Sequence, residues 1–295
     1  MLRIVRRLFL VALAAGSLLA VSAAAAPRKL HGNNFFSNCR FSHTAPDDPI
    51  VLPGQPGRSH PHTFFGNTTT SAASTVSTLL AGGTTCKPAA DTAAYWVPTL
   101  FDHGREVRPA KAQLYYVLRG YDQMHAFPSG LRVVAGNARP PRVQSLSIVY
   151  WACGASGVTV RVSSRPPRCG LLDARFHGVA QLCRTCPKRS NFEVRVNTHL
   201  ELHVNFPDCW DGKHLDSADH HSHMAYGRDY VCPASHPVKM PLIRLMIRYP
   251  LTDARGVALS SGGQLTGHAD FFNTWDERAL ESLVEACFRD RPCNR

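Results

Sequence analysis

Ten cysteines, an even number, constrain this 295-residue chain more than any other feature: Cys39, Cys86, Cys153, Cys169, Cys183, Cys186, Cys209, Cys232, Cys287 and Cys293. They follow a start with the order of an export signal. Arg3, Arg6 and Arg7 precede an apolar run over 8–21, and Ala23, Ala24, Ala25 and Ala26 supply the small residues at which such signals are cut. A cut after Ala25 removes 1–25 as a signal peptide and sends 26–295 to an oxidising compartment, where up to five disulfides are expected. Arg6-Arg7-Leu8-Phe9-Leu10 also has the look of a twin-Arg signal, so the export route stays open. Proximity in sequence pairs Cys39 with Cys86, Cys209 with Cys232, and Cys287 with Cys293. Cys183-Arg-Thr-Cys186 has the spacing of half a zinc site or a redox pair. It reads first as a disulfide, because a second Cys-x-x-Cys is missing.

No later stretch approaches the roughly 20 apolar residues of a membrane span, so a secreted or cell-wall-associated protein is expected. Lys and Arg outnumber Asp and Glu by 33 to 21. The excess is scattered singly, with no aromatic-interleaved basic run and no nucleic-acid motif, which argues against a nucleic-acid partner. A polyanionic surface or a glycan is the milder reading of the charge, and an extracellular or cell-wall polysaccharide is the expected partner.

Short runs of β-branched and aromatic residues, separated by Gly and Pro, predict strands at 95–101, 112–118, 131–135, 145–151, 158–163, 192–206 and 242–249. Near the end, Leu280, Leu283, Val284, Cys287 and Phe288 recur at helical spacing behind a capping box of Thr274 and Glu277. The segment 164–190, with three cysteines and many Arg, reads as a disulfide-rich insertion. The expected fold is mainly β: one sandwich or jelly-roll-like domain with many loops, disulfides and a C-terminal helix.

Fifteen histidines are unevenly placed. In an extended backbone, residues two apart point to the same side, so His60-Pro-His62 presents two imidazoles to one ion or substrate. His268-Ala-Asp270 repeats that spacing with a carboxylate. A third group, Asp211, Asp216, Asp219, His220, His221, His223 and His236, lies between them in the chain. For any single histidine, a solvent-exposed or loop-bonded role is the competing reading.

His60-Pro-His62-Thr-Phe-Phe-Gly66, Tyr95-Trp-Val-Pro98, Phe206-Pro-Asp-Cys-Trp-Asp-Gly212, Leu215-Asp-Ser217, His220-His-Ser-His223-Met-Ala-Tyr226 and Cys232-Pro-Ala-Ser-His-Pro-Val238, in that order, resemble the secreted family DUF1996 over roughly 34–275. The resemblance implies a secreted protein of bacteria and fungi, in fungi often joined to a carbohydrate-binding WSC domain. It suggests a glycan partner and assigns no activity. The 164–190 segment departs from the family's pattern, which leaves His177, Cys183 and Cys186 without a role in the candidate site.

Glycoside hydrolysis needs an acid and a base or nucleophile across the scissile bond. Asp211, Asp270, His268 and Asp216 are the candidate catalytic residues. Trp210, Tyr95, Trp96 and Trp275, with His236, are the candidate sugar contacts, against the reading that these aromatics are core. His60, His62, His220 and His223 are candidate ligands for a divalent ion, zinc, manganese or copper, and a histidine can instead serve as the base of a lyase. Several familiar sites are absent. The first residue after the cut is not His, Gly66 and Asn67 stand where a cupin needs Glu, and neither Gly-x-Ser-x-Gly nor His-Glu-x-x-His occurs. Two functions remain: a secreted polysaccharide hydrolase or lyase using a His/Asp cluster, with or without a metal, or a non-catalytic glycan-binding module.

Overall fold

Strands dominate because apolar and polar residues alternate along short runs that turn residues interrupt, and a computed structural model places them in antiparallel sheets. It describes residues 34–118, 124–155, 158–176, 192–229 and 231–288. The signal peptide expected over 1–25 lies outside the described residues. Among the described residues no helix is long and apolar enough to cross a membrane.

The larger sheet has eight strands. In order they are Val158–Ser163, Val149–Ala155, Phe192–Asn205, Leu242–Arg248, Lys111–Val117, Asn34–Cys39 and Cys86–Lys87, with Gly170–Phe176 paired to the first half of Phe192–Asn205. That last strand comes from the 164–190 segment, part of which therefore joins the main sheet. The remainder of the segment, including Cys183 and Cys186, lies outside the described residues. The second sheet has five strands, Phe41–Ala45, His62–Gly66, Ala94–Pro98, His268–Phe272 and Arg132–Gly136, in that order.

One hydrophobic core joins the two sheets. Leu114, Tyr116, Leu202, Val204 and Leu245 of the larger sheet pack with Tyr95, Val97, Val133, Ala135 and Phe271 of the smaller one. Since alternate residues face opposite ways, the other face of the five-stranded sheet carries His62, Phe64, Ala94, Trp96, His268, Asp270 and Phe272. That face is covered too: Ile50 and Leu79 close over Phe64, Trp96 and Phe272 in a second, smaller apolar cluster. Every residue of His62–Gly66, Ala94–Pro98 and His268–Phe272 is therefore buried.

Cys39–Cys86, Cys153–Cys169 and Cys209–Cys232 are disulfides, and no described cysteine is free. Cys287 is disulfide-bonded as well, while Cys293, its expected partner, lies outside the described residues. The C-terminal helix runs Glu277–Phe288. Its start is fixed by Asp276, whose Oδ1 accepts from the Ala279 N–H, while Thr274 Oγ1 donates to the Thr92 carbonyl. Asp276 thus takes the capping role expected of Thr274.

Tyr95 and Trp275, expected to carry sugar, instead build a buried polar knot in this core. Tyr95 Oη donates to Asp91 Oδ1 at 2.9 Å, leaving Tyr116 Oη to donate to Tyr95 Oη at 2.6 Å, and Trp275 Nε1 donates to Tyr116 Oη at 2.8 Å. Burial raises the Asp91 carboxyl to about 7, against hydrogen bonds from Ser37, Tyr95 and Ala93 that pull it down. The folded chain thus holds this proton more tightly than the unfolded chain. Its contribution to stability is complete below about pH 4, at the unfolded carboxylate's pKa, and is lost as pH rises through about 7. Asp91→Asn, which cannot ionise, is expected to flatten that fall, which is up to about 4 kcal/mol in the native protein. Urea titrations of both proteins at pH 4 and pH 8 test it; equal pH dependence in the two removes Asp91 as the cause.

Candidate metal centre

His60-Pro-His62 enters the five-stranded sheet at its second strand, and His268 and Asp270 belong to its fourth. The strand between them, Ala94–Pro98, sets the register: Phe64 and Asp270 both stand opposite Trp96, so the outward rows from the two flanking strands converge. Three imidazoles meet as a result. His60 Nε2 lies 3.3 Å and His62 Nε2 3.4 Å from His268 Nε2.

The far side of two of these rings fixes their protons. His62 Nδ1 donates to the Asp47 carbonyl and His268 Nδ1 to the Thr266 carbonyl, each at 2.9 Å. Carbonyls only accept, so both Nδ1 atoms carry hydrogen and both Nε2 atoms present lone pairs. Burial, with the neighbouring His268 and His60, holds His62 well below the usual imidazole range. Burial, helped by His60, lowers His268 to about 4 against the Thr266 hydrogen bond, and burial with the Arg139 charge lowers His60. These rings are neutral at pH 7. Two lone pairs 3.4 Å apart repel unless a cation sits between them. Nitrogens about 2.0–2.1 Å from one tetrahedral zinc stand about 3.4 Å apart, so the observed spacing fits a shared ion. Ligand rings whose other nitrogen is held by a carbonyl are the usual support for such a site.

Two carboxyl groups adjoin the imidazoles. Asp48, His62 and Asp270 each place a donor atom within 4.8 Å of one another, as do His60, His62 and His268. Asp270 is 1% exposed, and neither of its oxygens has a hydrogen-bond partner. Burial, reinforced by the Asp48 charge, pushes its carboxyl well above the usual range. Asp48 Oδ1 accepts from the N–H groups of Ile50 and Val51, which anchors the loop crossing the sheet. An unsatisfied buried carboxyl costs on the order of 1–3 kcal/mol or more, and a cation is the partner that offsets it. Two groups that share His62 could each hold a metal ion: His60 with His62 and His268, and Asp48 with His62 and Asp270. A further grouping, Cys39, Cys86 and Asp91, is a disulfide beside a carboxyl and offers no thiolate.

A cavity of 490 Å³ opens onto His60, His268 and Asp270 and is walled by Arg58, Ser59, Asn137, Arg139 and His221, among others. Gly136 lines it at φ +77, where an added Cβ would stand 2.7 Å from the Gly267 carbonyl oxygen and 3.0 Å from His268 Cα. Glycine there lets the edge strand approach His268 closely.

The remaining sequence candidates lie elsewhere or are committed. Asp211 closes its own turn, accepting from the N–H groups of Lys213 and His214 and from His214 Nδ1. Asp216 pairs with Arg132 and His220 Nδ1. His223, the expected fourth ligand, spends Nε2 on the Arg132 carbonyl at 2.6 Å and Nδ1 on Ser217 Oγ. These contacts tie the 211–223 segment to the edge strand Arg132–Gly136, a structural task that leaves His223 no nitrogen for an ion. His236 sits on the surface, its Nε2 donating to the Ser222 carbonyl. Trp210 donates Nε1 to the His214 carbonyl at 2.7 Å. Tyr95, Trp96 and Trp275 are at most 1% exposed and offer no face to a sugar, because their bulk fills the two cores. Sequence reasoning missed Asp47 and Asp48. Asp48-Pro49 reads as a turn start, and only a burial pattern specific to this loop would have marked it.

The model for the family described as "Domain of unknown function (DUF1996)" matches residues 48–275, a span that holds Asp48, His60, His62, His268 and Asp270 together. No curated protein and no solved structure matches the chain. A match over this much of the sequence shows the family, and the chain belongs to DUF1996.

Proposed function

We propose that this protein is a secreted metal-dependent enzyme that cleaves extracellular glycan, with a divalent ion held by His60, His62 and His268 beside Asp270 and Asp48. One observation carries the reading: the His62 and His268 Nε2 lone pairs face each other at 3.4 Å beneath a cavity, with a buried carboxyl next to them that has no partner. The disulfides fit an oxidising compartment. An imidazole-rich donor set favours zinc, copper, iron or nickel over calcium or magnesium. Such an ion supplies Lewis acidity, polarising a substrate oxygen or a water. The carbonyls of Asp47 and Thr266 keep the ligand rings oriented. Asp270, beside the ligands and otherwise unbonded, would be ionised when a cation is bound; it would take a proton from water as the water oxygen bonds to the anomeric carbon, and that proton would pass to the glycosidic oxygen as its bond to that carbon breaks. Ser59 and His221 on the cavity wall offer hydrogen bonds to sugar hydroxyls.

The test is turnover on a panel of extracellular polysaccharides before and after chelation. Product release is expected to fall at least 100-fold in the metal-free protein and to return on adding the ion. Undiminished cleavage without metal refutes the reading. Metal-dependent retention on polysaccharide with no product favours the non-catalytic glycan-binding module instead.

A further inference from the structure

The cavity above the candidate centre differs from a typical sugar cleft in one respect: none of its lining residues is Phe, Tyr or Trp. Flat faces for stacking a neutral sugar ring are therefore missing from its walls. It has two guanidinium groups instead, Arg58 from the loop that precedes His60 and Arg139 from the turn that follows the edge strand Arg132–Gly136. Neither has an ion-pair partner among the described residues. Both residues are exposed, and hydrogen bonds hold the main chain that carries them. The Arg58 N–H donates to the Gln55 carbonyl, and the Arg139 N–H donates to Asn137 Oδ1 at 2.7 Å. The two cations approach the imidazoles from separate segments of chain, and Arg139 is close enough to His60 to disfavour its protonation.

An unpaired guanidinium is a planar fork that matches carboxylate, sulfate or phosphate oxygens. Two of them beside a divalent cation make the cavity a place for negative charge, and Asp48 and Asp270 lie deeper, next to the imidazoles. We infer that the substrate is an acidic glycan, one of whose charged groups is gripped by Arg58 and Arg139 while the adjoining linkage is held over the imidazole cluster. This rests on the proposed glycan-active function and adds the substrate class. It also gives the scattered positive charge a use, since a basic surface draws a polyanion toward the cavity.

The experiment uses the metal-loaded full chain, with calorimetric titration of four probes: an oligogalacturonate, a sulfated oligosaccharide, a phosphorylated oligosaccharide and a neutral oligosaccharide of equal length. Metal content of each protein is measured alongside by elemental mass spectrometry. The expected result is binding of at least one acidic probe and not of the neutral one, weakening as salt is raised. Arg58→Ala and Arg139→Ala should each lower affinity roughly tenfold with metal content unchanged. Which acidic probe binds tightest identifies the anion. Equal binding of neutral and acidic probes, no binding of any acidic probe, or undiminished affinity when Arg58→Ala and Arg139→Ala are combined in one chain overturns the inference. Arginine-dependent acidic binding by a protein that takes up no metal upholds the anion site while refuting the metal centre, so the two failures are distinguishable.

Discussion

His62→Ala and His268→Ala are each expected to lose metal affinity by more than about 100-fold, because weakening a mere supporting contact to a ligand already costs 10–100-fold. The purified wild-type protein should carry close to one ion per chain, and the variants close to none, by elemental mass spectrometry. His60 is half-buried and its Nδ1 is not pinned by a carbonyl, so His60→Ala should retain more metal than either. His62 is fully buried, so circular dichroism and an unchanged disulfide pattern must accompany the measurement. Asparagine variants, which refill part of the ring's volume, separate lost ligation from lost packing. Two comparison variants sharpen the result. His223→Ala and His220→Ala remove histidines whose nitrogens are engaged by Ser217 and Arg132 or by Asp216, and metal content should not change. Metal that disappears in His223→Ala and survives in His268→Ala would place the centre elsewhere. Protons released on binding should come from the buried Asp270 carboxyl and not from the imidazoles, which are already neutral at pH 7.

Much of the fold and half of the candidate centre were legible in the sequence, for physical reasons that differ by residue. Strands such as 112–118 and 242–249 alternate because one face is wetter than the other, and the structure has them as Lys111–Val117 and Leu242–Arg248. The strands that carry the centre, His62–Gly66 and His268–Phe272, are covered on both faces. They do not alternate, and polar residues interrupt their apolar runs, so periodicity passed over both. What remained readable was the spacing of two, in His60-Pro-His62 and in His268-Ala-Asp270, which follows from backbone geometry alone. Nothing in the sequence said that Ala94–Pro98 would lie between them, because cross-strand register is set by the packing of the whole sheet. The run from Asp211 to His223 is ambiguous in sequence for the opposite reason. A loop with few apolar residues is held by side-chain hydrogen bonds, and Asp and His serve that purpose as readily as they serve an ion. Tyr95, Trp96 and Trp275 misled because an aromatic ring carries the same local signal whether it fills a core or faces a ligand.

Asp270→Val is expected to reverse the order of stability with and without metal. In the metal-free wild-type protein this carboxyl is buried with neither oxygen bonded, beside the second buried carboxyl of Asp48. Valine suits a strand, is close in volume, and removes a polar group whose burial costs about 1–3 kcal/mol. The chelated variant should therefore unfold at higher urea than the chelated wild type, by about that amount. Metal changes the comparison. At a free concentration about 1,000 times the dissociation constant, the native protein gains about 4 kcal/mol by mass action. The variant lacks the carboxylate that balances the ion's charge, so its gain should be smaller and the wild type should become the more stable of the two. Urea titrations of both proteins, each in chelator and in excess zinc, give the four values needed. If Asp270→Val is the less stable even in chelator, the carboxyl serves the fold and its unbonded oxygens say nothing about an ion. A residue that lowers the stability of the empty protein and raises that of the loaded one is held in place for the ligand, and that crossing distinguishes a metal site from a merely polar interior.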